Sequence, residues 1–387
     1  MAGLSNALGH AVRHEWTLDP DFLTVNHGSY GATPRAVLAA QDAWRARLEA
    51  QPTRFFGRDY FPAIREAATS LAGFLNVAPA DLAFVANATT GCNAVLRSLR
   101  FAPGDEILVL DHVYNAVRNT VRHVAAQTGA AVVVAELPFP RPTAAAVLAS
   151  VANAITPRTR IAVLDHITSA SALVLPIAAM VARCQAAGVP VLVDGAHGPG
   201  QVALDLTALG AEWYTGNCHK WLMAPKGCAF LHARADRQAD LHPVTISHGY
   251  GQGFAAEFDW TGTADPSPFL ALPAALDFFA RLGGAGLMAR NRALAAEAAA
   301  LLALRWGTET GALADMAGAM GLVRLPGTGA SAEQALALRE RLYAAGTDAP
   351  VNALHGALWL RLSAHAYNDI DDFARLGDVL SAVLAAR

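Results

Sequence analysis

The stretch "RIAVLDHITSASALVLPIAAMVARCQAAGVPVLVDG", residues 160–195, places a helical segment between two short apolar runs. RIAVLDH (160–166) and VPVLVDG (189–195) are continuous apolar runs that end on a polar turn, the pattern of strands buried on both faces. Between them, PIAAMVARCQAAG repeats its apolar residues at helical spacing and closes on Gly188, a residue suited to the left-handed conformation that ends a helix. Strand, helix, strand in this order predicts a crossover between parallel strands.

The same alternation extends outward. LAFVAN (82–87), EILVLD (106–111), AVVVAEL (131–137) and GCAFLHA (227–233) read as further strands, with helical stretches such as GCNAVLRSLR between them. A mostly parallel α/β sheet is expected. At DWTGTADPSPF (259–269) two prolines and a glycine break the pattern. Long helices follow, then SAEQALALRERLYAAG (331–346), a strand in ALWLRLSAHAYN (357–368) and a last amphipathic helix from about Asn368. The expected organisation is an N-terminal arm (1–20), a large domain (21–265) and a smaller α+β domain (266–387).

Bulk properties exclude several classes. The chain has 387 residues, 53% hydrophobic and 16% charged, with a net charge of -3. That balance lacks the basic footprint of a nucleic-acid binder. Charges at helical spacing interrupt the alanine- and leucine-rich runs, so none reads as a membrane span. The first twenty residues contain no continuous apolar core of a secretion signal. The four cysteines, Cys92, Cys184, Cys218 and Cys228, form no CxxC pair. Reduced thiols and a cytoplasmic location are expected. His197, Cys218, His219 and Cys228 follow no zinc-ligand spacing, so no metal is expected.

Open α/β sheets bind ligands at the carboxyl ends of their strands. After LAFVAN, Thr89, Thr90 and Gly91 open a helix, whose free N–H groups and hydroxyls suit a phosphate and equally suit a plain helix cap. No GxGxxG or P-loop fingerprint accompanies them. Tyr114 follows EILVLDH and can cover a flat ring or simply fill the core. Asp194 ends VPVLVD ahead of a glycine-rich turn carrying His197. Lys220 lies in EWYTGNCHKWLMAPKG (212–227). A phosphate cradle, a ring-covering aromatic, a carboxylate and a lysine are together the parts of a pyridoxal-phosphate site, in which the lysine forms a Schiff base and the carboxylate keeps the ring nitrogen protonated.

VNHGSYGATPRAV, FVANATTGCNAVL, LDHITSASALVLPI, VLVDGAHGPGQVALDL, WYTGNCHKWLMAPKG, WTGTAD and LRLSAHAYN occur in this order along nearly the whole chain. Together they resemble the class V aminotransferase family of fold-type I enzymes, in its isopenicillin N epimerase-like branch. The resemblance implies a large domain with a mostly parallel seven-stranded sheet, a smaller C-terminal domain, and pyridoxal 5'-phosphate. It implies that Lys220 is the Schiff-base lysine and the acid/base at Cα, that Asp194 pairs with the ring nitrogen, and that His197 approaches the ring hydroxyl. Thr89, Thr90, Thr215 and His219 would hold the phosphate, and Tyr114 would stack on the ring. Thr263 would reach the phosphate of a partner subunit, which implies a homodimer. Arg361 would clamp the substrate carboxylate, with Asn26 and His27 nearby.

The cofactor weakens every bond at Cα, so the fold does not select the reaction. No cysteine follows Cys228, which speaks against persulfide chemistry. Epimerisation, with Tyr114, His27 or a water as second acid, is the expected reaction, C–S β-elimination is its alternative, and both rank above transamination. A catalytically silent scaffold is the non-enzymatic alternative. Arg54, Phe55, Phe56, Arg58, Tyr60 and Tyr250 are candidates for recognising the substrate side chain.

Overall fold

The computed structural model describes residues 8–327 and 330–386. Seven strands form the main sheet: β1 (Leu82–Val85), β2 (Glu106–Leu110), β3 (Ala131–Ala135), β4 (Thr159–Asp165), β5 (Val191–Asp194), β6 (Trp213–Asn217) and β7 (Ala229–Ala233). Their order is β1-β7-β6-β5-β4-β2-β3. β2 to β6 run parallel with their neighbours, and β7 is antiparallel to both β6 and β1. β1, β2 and β5 to β7 are buried along their whole length. The continuous apolar runs of all of these but β6 follow from helices on both faces of the sheet.

Five predicted strands in this sheet end one or two residues earlier than their apolar runs suggest. The polar residues thereby released, such as Asn87, Asp111 and His166, fall in the loops beyond β1, β2 and β4. β6 is the strand that periodicity passed over. Its sequence, WYTGN, holds three small or polar residues, yet all five are buried. Thr215 meets the requirement for a partner by donating its hydroxyl to the Phe230 carbonyl at 2.8 Å.

Chain order reverses at β2 and β4. β3 lies outside β2, whereas β5 and β6 continue on the other side of β4. This is the switch point at which the loops diverge and leave a crevice. The helix predicted before β5 spans Ile177–Ala186, with Gly188 at φ +74° beyond it.

A second sheet contains β8 (Met320–Arg324), β9 (Val351–Leu354) and β10 (Ala357–Ser363), antiparallel in the order β8-β10-β9. Helices Ala285–Trp306, Ala332–Ala344 and Ile370–Ala385 cover it. Leu23 and Val25 pack into this smaller core with Leu360, Leu362 and Phe373. Leu270, Phe278 and Leu287, by contrast, pack with the large core. Among the described residues no single helix is long and apolar enough to cross a membrane.

Candidate active site

The crevice contains a cavity of about 370 Å³ lined by Asn87, Thr89, Tyr114, Asp165, Asp194, His197, His219 and Lys220. Each follows from strand placement. Asp165 and Asp194 are the last residues of β4 and β5 and lie side by side in register. Lys220 and His219 stand on the turn after β6, and Thr89 is in the first turn of the helix Ala88–Ser98 that follows β1.

Lys220 is partly buried on the cavity wall, and desolvation, aided by the Arg361 charge and opposed by Asp194, lowers its pKa to about 7. Its Nζ lies 3.2 Å from His197 Nε2. The other ring nitrogen, Nδ1, accepts the Trp221 indole N–H at 3.3 Å. An indole can only donate, so His197 carries its proton on Nε2, facing the cavity. Burial, then Lys220, holds His197 far below the ordinary histidine range and therefore neutral. Gly31, at φ +71°, brings the N-terminal loop so close that a Cβ there would sit 2.9 Å from Lys220 Cα.

Asp194 and Asp165 are both pushed up by burial. Asp194 Oδ1 accepts the Ala196 N–H at 3.0 Å, and Asp165 Oδ2 is buried with no hydrogen-bond partner. Two enclosed carboxylates beside one lysine leave uncompensated acceptors, which a protonated ring nitrogen would satisfy. At the other end of the cavity, Asn217 Oδ1 takes the Ala88 N–H and Asn87 Oδ1 takes the Thr90 N–H. Thr89 remains as the donor facing the cavity. The donor set, carboxylates and lysine fit a phosphate-bearing pyridinium ring.

A second cavity of about 400 Å³ opens from the first and shares Ser29, Tyr30, Tyr114, Ser169 and Lys220 with it. Arg361 lies on its wall, buried in the middle of β10. Its guanidinium donates to Ser169 O at 2.7 Å, Ser29 Oγ at 2.8 Å and Asn26 Oδ1 at 3.2 Å, and its buried Nε has no partner. Burial, then the neighbouring Arg339, lowers its pKa to about 10. Arg339 is paired with Asp348 at 2.7 and 2.8 Å. Arg361 has no carboxylate partner among the described residues, which leaves a buried cation for an incoming anion.

Other predicted residues lie elsewhere. The Thr90 hydroxyl is bonded to Asn87 Oδ1, and its side chain lines a separate cavity with Trp260, Thr261 and Gly262. Thr215 is turned toward β7 and lies behind Gly91. His27 is buried with both nitrogens engaged, by Tyr367 Oη at 2.9 Å and the Lys220 carbonyl at 3.0 Å. Asn26 supports Arg361 from behind, and Thr263 is exposed. Phe56 and Tyr60 line the Thr90 cavity, while Arg54 and Arg58 are exposed. Asp165, Ser29, Ser169 and Trp221 were passed over. Asp165 alone carried a signal, since it ends an apolar strand just as Asp194 does.

A family model described as Aminotransferase class-V matches residues 31–376. The chain is 34% identical to an isopenicillin N epimerase of Streptomyces clavuligerus, covering 96% of this chain and 97% of that protein. It is also 34% identical to a "probable L-cysteine desulfhydrase, chloroplastic" of Arabidopsis thaliana, covering 95% and 84%. Among solved structures, a cystine C–S lyase in complex with its product cysteine persulfide superposes with a TM-score of 0.80, at 24% identity over 94% of this chain and 98% of that one. With its seven-stranded sheet, smaller C-terminal domain and lysine–carboxylate cavity, the chain belongs to the class V aminotransferase family and uses pyridoxal 5'-phosphate.

Proposed function

We propose that the protein is a C–S β-lyase that acts on L-cysteine or an S-substituted cysteine, releasing the sulfur group together with pyruvate and ammonia. The cofactor, when bound, supplies the electron sink that acidifies the substrate's Cα–H bond. Arg361 draws the α-carboxylate by its uncompensated charge and by Nε–H, its one donor without a partner, while Ser29 and Ser169 fix the plane of its guanidinium. Asp194 and Thr89 hold the ring nitrogen and the phosphate, with His219 on the wall beside them. His197 presents its Nε2–H to the cavity.

Lys220 carries the reading. An amine with pKa about 7 takes the Cα proton at neutral pH and, once charged, returns it to the departing sulfur. One group serves both steps of an elimination, whereas epimerisation needs a second proton donor on the opposite face. His27, a sequence candidate for that donor, has both nitrogens occupied. All four cysteines are buried away from the cavity lining, in keeping with chemistry that uses no protein thiol. The similarity to a desulfhydrase points the same way.

Epimerisation is the second reading, favoured by the half-exposed Tyr114 on the shared cavity wall and by the similarity to an epimerase. The exposed Thr263 would serve the site of a second copy, in a homodimer. The deciding assay is incubation with L-cysteine and S-substituted cysteines in deuterated buffer. Pyruvate and thiol released in equal amounts are expected. Deuterium at Cα with accumulation of the D-isomer and no pyruvate would overturn the lyase reading, and Tyr114→Phe should then abolish the inversion.

A further inference from the structure

Beside the substrate cavity, three side chains from distant parts of the chain converge. Asp111 and His112 follow β2 and line the cavity, and His355 stands at the tip of the β9–β10 hairpin. Their ligand atoms face one another. His112 Nε2 and His355 Nε2 are 3.3 Å apart, and Asp111 Oδ2 lies 3.8 Å from the first and 3.7 Å from the second.

The geometry points to a binding site for one divalent transition-metal ion held by Asp111, His112 and His355. A point equidistant from the three atoms lies about 2.1 Å from each, within the range of zinc–nitrogen and zinc–carboxylate bonds. Two imidazoles and one carboxylate form a borderline donor set that suits zinc, iron or nickel rather than magnesium or calcium. Three protein ligands leave a coordination position free.

The outer contacts direct these atoms inward. Asp111 Oδ1 is occupied by the Leu137 N–H at 3.0 Å, which leaves Oδ2 for the histidines. His112 Nδ1 lies 2.7 Å from Ser171 Oγ, which is itself 2.7 Å from Thr168 Oγ1. A hydroxyl accepting from Nδ1 selects the tautomer with a lone pair on Nε2, a recurrent support for metal-bound histidine. Phe139 packs 5.2 Å from both imidazole rings and limits their rotation. His355 holds φ +44° and Gly356 φ +76°, the two left-handed residues of a tight hairpin turn. A histidine costs more there than a glycine or an asparagine. Without a metal one of the two rings has to carry its hydrogen on Nε2 and donate it to the other, whereas a cation satisfies all three lone pairs at once.

Untagged holoenzyme dialysed against micromolar Zn²⁺ and then against metal-free buffer should retain one zinc per chain by elemental analysis. Co²⁺ in its place should give a visible ligand-field band. His355→Asn preserves the left-handed turn and should reduce retained zinc to under a tenth per chain with unchanged cofactor content. Ser171→Ala should weaken binding by about 10- to 100-fold. Equal retention by wild type and His355→Asn, or no retention by wild type, would overturn the site.

Discussion

Arg361 is a buried cation with no carboxylate partner among the described residues, and its hydrogen-bond partners come from two distant segments. Asn26 and Ser29 come from the N-terminal loop and Ser169 from the loop after β4. A lysine at this position keeps the charge but cannot reach both serines and still present the further donor that Nε–H supplies. Arg361→Lys should raise the dissociation constant for glycine, read as a change in the cofactor spectrum, by about 10- to 100-fold, the worth of one charge-assisted hydrogen bond. An unchanged constant would remove Arg361 from the binding site. At this scale the sequence was readable wherever a polar residue interrupted an apolar run. Lys220 and Asp194 are of that kind, whereas Arg361 followed only from the family resemblance, and all three are in the two joined cavities. Residues acting from opposite ends of the chain left no such mark. His355 is 243 positions from His112, so the absence of a familiar ligand spacing could not exclude the trio.

The helix Ala88–Ser98 delivers Thr89 to the cavity only because its first turn rests against β6. Gly91 makes that approach possible: a Cβ there would lie 2.8 Å from Thr215 Cβ, closer than two carbons can pack without moving. Gly91→Ala would tilt the helix terminus away from the strand and carry Thr89 with it. The expected outcome is at least 10-fold weaker retention of pyridoxal phosphate, measured by equilibrium dialysis, with little change in helix content by circular dichroism. Unaltered retention would show that the helix end does not set the phosphate position. Periodicity was a sound guide to the elements that bury uniform faces, such as β2, β5 and the helix before β5. It failed at β6 because that strand is defined by its neighbours. Thr215, Gly216 and Asn217 are buried only because β5 and β7 lie on both sides and supply their partners. This explains why Thr215, expected at the phosphate, instead supports the helix from behind.

Across the molecule, the alternation of strands and helices was enough to put the site at the carboxyl ends of the strands, but the reversal between β2 and β4 that opens the crevice depends on which strands pair. The closure of the N-terminal segment onto the smaller sheet was not legible, because Leu23 and Val25 pair with residues more than three hundred positions away. His27 is the polar counterpart of that closure. It joins the N-terminal loop to the Lys220 turn and to Tyr367, and stacks on His365 at 3.5 Å. Burial lowers its pKa from 6.5 to about 3. The folded protein therefore leaves His27 neutral where the unfolded chain protonates it. Its contribution is complete above pH 6.5 and is lost as the pH falls toward 3, by about 1.4 kcal/mol per pH unit and about 2 kcal/mol at pH 5. Asp259, raised by burial to about 6, acts in the opposite direction, so the acid response of the wild type alone is a mixture. Comparison with His27→Gln cancels the groups that do not touch His27, Asp259 among them. The variant should be less stable at pH 7, where it lacks the ring and its stacking partner. Between pH 7 and pH 5 it should lose about 2 kcal/mol less than wild type in urea unfolding. Parallel losses in the two proteins would mean that His27 takes up its proton without leaving the fold, and that the closure of the N-terminal segment does not depend on a neutral ring at this position.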